Sequence, residues 1–132
     1  MKEINISTRF PVEMIDITAF VQAAVSEKDV HSGYCIVFTP HTTAAVTINE
    51  NADPDVPRDI IAALEKAVPQ NIHYRHSEGN SPAHVKSSLV GASETVLIEN
   101  GRLVLGTWQS IFFCEFDGPR SRRVIIKIIT TG

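Results

Sequence analysis

The chain has 132 residues, of which 43% are hydrophobic and 20% charged, and its formal net charge is −3. These values exclude a disordered or fibrous protein and predict a single domain, over residues 1–132, that buries most of its apolar surface. The net negative charge argues against nonspecific nucleic-acid binding, because affinity for phosphate backbones rests on many Lys and Arg contacts, although a local basic patch stays open.

Features that report on the cellular compartment indicate the cytoplasm. The N-terminus lacks the basic, apolar and small-residue succession of a signal peptide, and no apolar run approaches the ~20 residues of a membrane-spanning helix. Cys35 and Cys114 both lie in apolar runs, where a buried free thiol behaves as a small hydrophobe. We therefore favour buried free thiols over a disulfide or a catalytic cysteine, and we expect a cytoplasmic protein that binds no membrane.

Apolar periodicity predicts strands and a helix in the first part of the chain. Residues 2–9 alternate with period two, which predicts a half-buried strand, and a second short strand over 12–16 is expected to pair with it. Residues 34–38 predict a strand buried on both faces, and 42–49, rich in Thr, Val and Ile, predict another. Between them a helix is predicted by an apolar stripe at helical spacing, formed by Ile17, Phe20, Val21, Ala24 and Val25.

The second part of the chain completes an α+β pattern. A helix carries Ile60, Leu64 and Val68 at helical spacing, and the polar segment 71–81 that follows it predicts a loop. The next helix is expected to use Ser81 as N-cap and to end before Gly91. Asn100-Gly101 predicts a hairpin, and the runs 109–116 and 124–129 predict two more strands, the second central. We predict a mostly antiparallel β-sandwich or barrel-like sheet covered by two to three short helices.

Four of the five histidines invite interpretation as a metal site. His41, His73, His76 and His84 supply imidazole, a common zinc ligand, and catalytic zinc sites use three protein ligands. For His31 and His73 we favour the alternative of surface or hydrogen-bonded loop residues. His41 directly follows a predicted buried strand, so both interpretations stay open for it.

Two carboxylates are candidates for proton transfer. Glu50 and Asp53 lie three residues apart just before a predicted helix, where negative charge is favourable to the helix dipole whatever its function. Capping explains Asp53 but not the density of polar side chains in Asn49-Glu50-Asn51. We therefore predict Glu50 or Asp53 as general acid or base, with His41 as the third candidate catalytic residue.

The helix that starts near Ser81 is a candidate anion site. Its free backbone N–H groups and its dipole favour negative charge. His84 lies in its first turn and Lys86 follows, so we predict a ligand that carries a phosphate group. An ordinary capped helix is the alternative.

Three further residues are candidates for substrate contacts. Trp108 and Gln109 open a predicted strand, and Trp108 is either a core residue or a pocket wall that stacks on a planar ring. Arg120 stands in a turn, where it either clamps a phosphate or is simply solvated.

The polar stretches resemble the signature of the YjbQ-like family, also known as secondary thiamine-phosphate synthases. The resemblance covers nearly the whole chain, and it places His41, His76 and His84 on the family pattern but not His31 or His73. Its blocks are His41-Thr42-Thr43-Ala44, Asn49-Glu50-Asn51, Asp53-Pro54, His76 with Glu78-Gly79, Pro82, His84, Lys86-Ser87-Ser88, Gly91, Gly101-Arg102-Leu103, Leu105-Gly106-Thr107-Trp108-Gln109, Glu115 and Gly118-Pro119-Arg120.

The resemblance implies a homotrimer whose polar blocks gather in one pocket. It also implies a transferase with weak or secondary thiamine-phosphate synthase activity on phosphorylated substrates, at a site that binds pyrophosphate, usually with a divalent cation. Zinc or magnesium on His41, His76 and His84 would be that cation. Two other classes stay open, a metabolite- or metal-binding regulatory module without turnover and a structural homotrimer with histidines at its interface.

Overall fold

The structure is a computed structural model that describes residues 1–131. Eight strands and three helices follow one another along this part of the chain. In order they are β1 (Lys2–Ser7), β2 (Glu13–Asp16), α1 (Thr18–Lys28), β3 (Ser32–Phe38), β4 (Ala44–Glu50), α2 (Asp55–Ala67), α3 (Ser81–Val90), β5 (Ser93–Glu99), β6 (Arg102–Leu103), β7 (Gln109–Glu115) and β8 (Ser121–Thr130).

The strands form two antiparallel sheets. A curled, five-stranded half-barrel has the order β1-β8-β3-β5-β6, and a three-stranded sheet has the order β2-β7-β4. Strand β8, whose run of Val and Ile predicts a central position, pairs with both β1 and β3. The predicted α+β class is confirmed, as are the three helices and the hairpin at Asn100-Gly101, where both residues adopt the positive φ that such a turn requires.

Two hydrophobic cores lie on opposite faces of the three-stranded sheet. The larger one fills the space between this sheet, the half-barrel and α1, and the smaller one lies beneath α2 and α3. Strand β7 contributes to both, because Phe113 faces the first and Phe112 the second. The free thiols of Cys35 and Cys114 are buried, as predicted, and burial raises their pKa values to about 11 and about 12.

Three predictions about local structure are wrong. Strand β2 pairs with β7 and not with β1, because the turn after Ser7 carries the chain across to the other sheet. Strand β3 alternates between buried and partly exposed residues, so it is buried on one face only. The N-cap of α3 is Asn80, and Ser81 is the first helical residue. None of the three helices within residues 1–131 is both long and apolar enough to cross a lipid bilayer.

A buried ion pair connects the two sheets. Glu115, at the end of β7, is 0% exposed, and Arg122, near the start of β8, is 4% exposed. The Arg122 Nε atom donates to Glu115 Oε1 at 2.8 Å, and its Nη2 donates to the other carboxylate oxygen. Nη2 also donates to the Thr43 hydroxyl at 2.8 Å, and the Thr8 hydroxyl donates to Glu115 at 2.8 Å. Residues of β7 and β8 and residues next to β1 and β4 therefore share one network.

The environment of Glu115 keeps it ionised. Burial alone would raise the pKa of its carboxyl, but hydrogen bonds from Arg122, the Asp117 backbone and Thr8, together with the charge of Arg122, hold the pKa below its usual value of 4.5. A carboxyl whose pKa is lower in the folded state stabilises the protein above the unfolded-state pKa, and this contribution is lost as the pH falls through the folded-state pKa.

We predict that Glu115→Gln lowers the free energy of unfolding at pH 7 by about 3–5 kcal/mol, because it leaves the buried Arg122 charge uncompensated. Urea denaturation should show this deficit shrinking as the pH falls below 4.5, where the wild-type carboxyl also becomes protonated. The matched control is Glu3→Gln, which removes an exposed pair with Arg123 and should cost at most ~1 kcal/mol. Equal effects of the two substitutions would contradict the prediction.

Gly33 in β3 leaves no room for a side chain. A Cβ atom added there would lie 2.0 Å from the backbone oxygen of Ile129 in β8, so Gly33→Ala forces the two central strands apart. We predict a loss of at least ~1–3 kcal/mol of unfolding free energy, the usual cost of overpacking. Ser32→Ala, one residue earlier in the same strand, is the control and should leave the urea midpoint nearly unchanged.

Candidate functional site

A polar pocket of about 380 Å³ opens where β3 and β8 meet the start of α3. We call it the histidine pocket. It lies between the residues that follow β3, the beginning of β8 and the loop that leads into α3. Its lining is Pro40, His41, Thr42, Thr43, His76, Glu78, Asn80, His84, Arg120 and Arg122.

His41 is fixed in one orientation by the backbone. Its Nε2 atom accepts a hydrogen bond from the Arg123 N–H at 3.0 Å, so the neutral ring carries its proton on Nδ1 and can donate it. Burial lowers the pKa of His41 below its usual 6.5, and the charges of Arg122, Arg123 and Arg120 lower it further, against the opposing charge of Glu115. His41 is therefore a neutral hydrogen-bond donor at pH 7.

His76 and His84 form a pair across the pocket. Their rings meet edge to face, with centroids 5.2 Å apart. His84 is held by the first turn of α3, where its N–H donates to the Asn80 carbonyl. His76 comes from the preceding loop, and its Nε2 lies 4.0 Å from the Glu78 carboxylate. Both imidazoles are thus close enough to act on the same bound group.

Two guanidinium groups supply donors that the protein itself does not use. Arg122 uses Nε and Nη2 for Glu115 and Thr43, and among residues 1–131 Nη1 has no hydrogen-bond partner. Arg120 is oriented by Asp117, whose carbonyl accepts from Nε at 2.8 Å and whose carboxylate accepts from Nη2 at 3.0 Å. The nearby carboxylates therefore aim the guanidinium groups, and the pocket is rich in free donors.

Asn80 adds an unpartnered acceptor to the lining. Its Nδ2 donates to the Asp117 carboxylate at 2.8 Å, which fixes the amide. Its Oδ1 is buried and has no hydrogen-bond partner within residues 1–131. A bound group that carries a hydroxyl or a protonated oxygen would satisfy it.

This donor set fits an anion better than the zinc or magnesium ion predicted from the sequence. No three His, Cys, Asp or Glu side chains in the described part of the chain are grouped so that they could hold a metal ion. The Nε2 of His41 is already engaged by the Arg123 N–H and cannot at the same time bind a metal.

Lys86 and Ser81, predicted as phosphate contacts, are not part of the pocket lining. Lys86 is buried and donates to the Glu65 carboxylate of α2, and its ammonium lies 5.9 Å from the centre of the Phe116 ring. It faces a separate depression, because residues two apart on a helix project about 200° from each other. Lys86 therefore holds α3 against α2 while His84 faces the pocket.

The remaining predicted residues lie at the other end of the molecule. Glu50 ends β4 and pairs with Gln109, the first residue of β7. The Asn51 N–H donates to the Trp108 carbonyl, so these residues are neighbours. We call Glu50, Asn51, Asp53, Trp108 and Gln109 the acidic end. None of them lines the histidine pocket.

The floor of the pocket is formed by residues that were not among the predicted site residues, although Thr43 and Glu115 belong to the blocks that carry the family resemblance. Arg122 and Thr43 line it, and Glu115 orients Arg122 from beneath. A signal was present, because Glu115 closes the apolar run of β7 and Arg122 stands at an inward position of the apolar strand β8. Opposite charges at inward positions of two strands predict a buried pair.

Comparisons with known proteins agree with the resemblance seen in the sequence. The model of the family described as UPF0047 protein YjbQ-like matches residues 2–131. The chain is 52% identical over 130 residues to UPF0047 protein YugU of Bacillus subtilis, with 98% of each chain covered. It is 53% identical over 125 residues to UPF0047 protein MJ1081 of Methanocaldococcus jannaschii, covering 95% of this chain and 91% of that one.

Solved structures share the fold over nearly the full length. A conserved protein of the YjbQ/UPF0047 family from Clostridium acetobutylicum is 55% identical and superimposes with a TM-score of 0.96, covering 98% of this chain and 100% of that one. A YbjQ-like protein of unknown function from Sulfolobus solfataricus is 32% identical with a TM-score of 0.94, covering 98% and 96%. The chain belongs to the YjbQ-like UPF0047 family.

Proposed function

We propose that the histidine pocket binds the phosphate group of a small phosphorylated molecule. The observation that carries this proposal is Arg122, a buried guanidinium that is aimed by Glu115 and keeps Nη1 free in the pocket lining. Arg120 and the Nδ1–H of His41 add donors around the same space. Guanidinium groups oriented by carboxylates are well suited to phosphate, because their N–H groups match its oxygens in pairs.

His76 and His84 supply the groups for proton transfer in this proposal. Imidazole changes its charge near neutral pH, so a histidine can both give and take a proton under physiological conditions. The Glu78 carboxylate lies 4.0 Å from the His76 Nε2 atom and can orient this ring. An enzyme acting on a phosphorylated substrate is therefore supported by the pocket, while a regulatory module would use the same donors without turnover.

The thiamine-phosphate synthase activity implied by the resemblance is a narrower form of the proposal. It joins two phosphorylated substrates, whereas a pocket of about 380 Å³ is near the lower limit of small-molecule sites and suits one of them. The donors that bind one phosphate group support this activity. The second substrate would have to bind to surface beyond this pocket.

Self-association into a homotrimer is also part of the proposal. Its support is the outer face of the half-barrel, where Leu97 is 60% exposed and Phe38 is 39% exposed. Tyr34, Ile36 and Ile125 on the same face are partly exposed. Lys127 and Thr95 pair on either side of Ile36 and lie on the same face. Large apolar side chains exposed on one sheet face are a common feature of protein–protein contacts.

We predict that the wild-type protein binds inorganic phosphate and pyrophosphate saturably, as measured by isothermal titration calorimetry. Arg120→Ala and His84→Ala should each weaken phosphate binding about tenfold or more, since a charged hydrogen bond contributes ~1.5–3 kcal/mol. The control is His73→Ala, because His73 is exposed and outside the pocket lining. Unchanged affinity in both pocket variants, with circular dichroism showing intact folding, would refute the proposal.

We predict that His41 titrates below pH 6.5 in a histidine NMR titration, because burial and the charges of Arg122 and Arg123 lower its pKa. Sulfate should raise this pKa, since a bound anion favours the imidazolium form. By reciprocity, sulfate affinity should then increase as the pH falls through the pKa of His41. The signals of His31 and His73 should not respond to sulfate, and a response there without one at His41 would contradict the assignment of the site.

A further inference from the structure

The turn between β7 and β8 carries Arg120 on a fixed backbone. The Gly118 N–H donates to the Pro11 carbonyl at 3.0 Å, and the Arg120 N–H donates to the Thr8 hydroxyl at 2.9 Å. A Cβ atom added at Gly118 would lie 2.5 Å from the Phe10 carbonyl oxygen, so the turn packs closely against the segment after β1. The freedom that Arg120 retains is therefore in its side chain, which is long and 49% exposed.

The Asp117 carboxylate is the partner that orients this side chain. Its Oδ2 atom accepts from Arg120 Nη2 at 3.0 Å, and the Asp117 carbonyl accepts from Nε at 2.8 Å. An exposed ion pair alone holds an arginine weakly, because fixing two mobile side chains in one geometry costs conformational entropy. Asp117 therefore orients Arg120 well only when its own carboxylate is held in place.

Asn80 holds that carboxylate. Its Nδ2 atom donates to Asp117 Oδ2 at 2.8 Å, so the same oxygen accepts from the amide and from the Arg120 guanidinium. Within residues 1–131 no other side chain donates to the Asp117 carboxylate. Asn80 comes directly before α3, whereas Asp117 and Arg120 lie in the turn before β8. One amide thus connects two of the segments that form the histidine pocket.

The start of α3 does not use the Asn80 side chain. Asn80 is the N-cap residue, yet its amide makes no capping hydrogen bond. Pro82, the second helical residue, has no N–H to be capped, and the Ala83 N–H donates to the Asn80 backbone carbonyl at 3.0 Å. The backbone therefore closes the helix start, and the amide is available to a different segment of the chain.

Stability alone does not explain how the Asn80 side chain is placed. Its Oδ1 atom is buried without a hydrogen-bond partner within residues 1–131, and a buried polar atom in this state costs free energy of folding. Natural proteins break such local rules most often at functional sites. Asn80 stands at such a site, because it lines the histidine pocket together with Arg120.

We propose that Asn80 is a positioning residue of the histidine pocket, which aims Arg120 at the bound phosphate through the Asp117 carboxylate. The inference rests on the proposed function, because Arg120 is one of the donors assigned to the phosphate. Asn80 does not have to touch the ligand in this role. It holds the guanidinium in place before the ligand binds, so less side-chain entropy is lost on binding.

Asn80→Ser tests the role of the amide. Serine is about as favourable as asparagine at an N-cap, so α3 should form as before, but the serine hydroxyl is too short to replace Nδ2. We expect the affinity for inorganic phosphate, measured by isothermal titration calorimetry, to fall at least about threefold, as is typical of residues coupled in one network. The matched control is Ser81→Ala. The neighbouring Ser81 lies outside the pocket lining, and its substitution should leave the affinity unchanged.

A double-mutant cycle separates positioning from a general structural effect. When Asn80 acts through Arg120, Asn80→Ser causes no further loss of phosphate affinity in protein that already carries Arg120→Ala. A displacement of α3, and with it of His84, would instead produce the same loss in both backgrounds. That second result would overturn the inference.

The Nε–H group of Arg120 provides a measurement that needs no ligand. Because it donates to the Asp117 carbonyl, its hydrogen should exchange with water more slowly than that of the exposed Arg58, as followed by NMR. Asn80→Ser should speed the exchange at Arg120 and leave the exchange at Arg58 unchanged. Equal exchange at Arg120 in the wild type and in Asn80→Ser would show that Asn80 does not position it.

The outcomes keep this inference apart from the proposed function. Unchanged phosphate affinity in folded Asn80→Ser, when the wild type does bind phosphate, would overturn the positioning role and leave the proposed function standing. A wild-type protein that binds no phosphate would overturn the proposed function. The hydrogen exchange of Arg120 would then decide by itself whether Asn80 positions this side chain, since faster exchange in Asn80→Ser supports the role and unchanged exchange contradicts it.

Discussion

The ion pair between Arg122 and Glu115 is the constraint on which the rest of the structure depends. Burying two charges costs more than their attraction returns unless their remaining hydrogen-bonding groups are also satisfied. Here Thr8, Thr43 and the backbone of Asp117 complete the network. The pair therefore forms only when the two sheets adopt one relative position. Its main effect is to fix that position, and its net contribution to the free energy of folding is smaller. Glu115 and Thr43 use only Nε and Nη2 of Arg122. Nη1 is left free, and Arg122 forms part of the floor of the pocket.

Helix α3 converts this floor into an enclosed site. The buried bond between Lys86 and Glu65 fixes α3 to α2, and the Ser87 hydroxyl donates to the Ala44 carbonyl at 2.6 Å, which fixes the helix to β4. With two sides of the helix anchored, the first turn has no freedom to move His84 away from Arg120 and Arg122. One short helix thus carries both a pocket residue, His84, and the residues that anchor it, Lys86 and Ser87.

The fold could be predicted from periodicity, because each strand and helix reports its own buried face. The pairing partner of each strand could not be predicted, because a period-two pattern such as that of β2 indicates which face is buried but not which strand lies beside it. For the site, His41, His76, His84 and Arg120 were predictable because polar residues at strand and helix ends collect at one edge. The role of Lys86 was not, because a lysine near a helix start is compatible with an anion site and with a buried ion pair, and only tertiary packing decides between them.

His41 and Glu50 show why closeness in sequence is a poor guide to a shared site. They are nine residues apart, yet an extended strand lies between them and carries one away from the other, whereas a helix with the same number of residues would separate them by less than half that distance. Polar residues that precede and follow an apolar strand therefore lie at opposite ends of that strand.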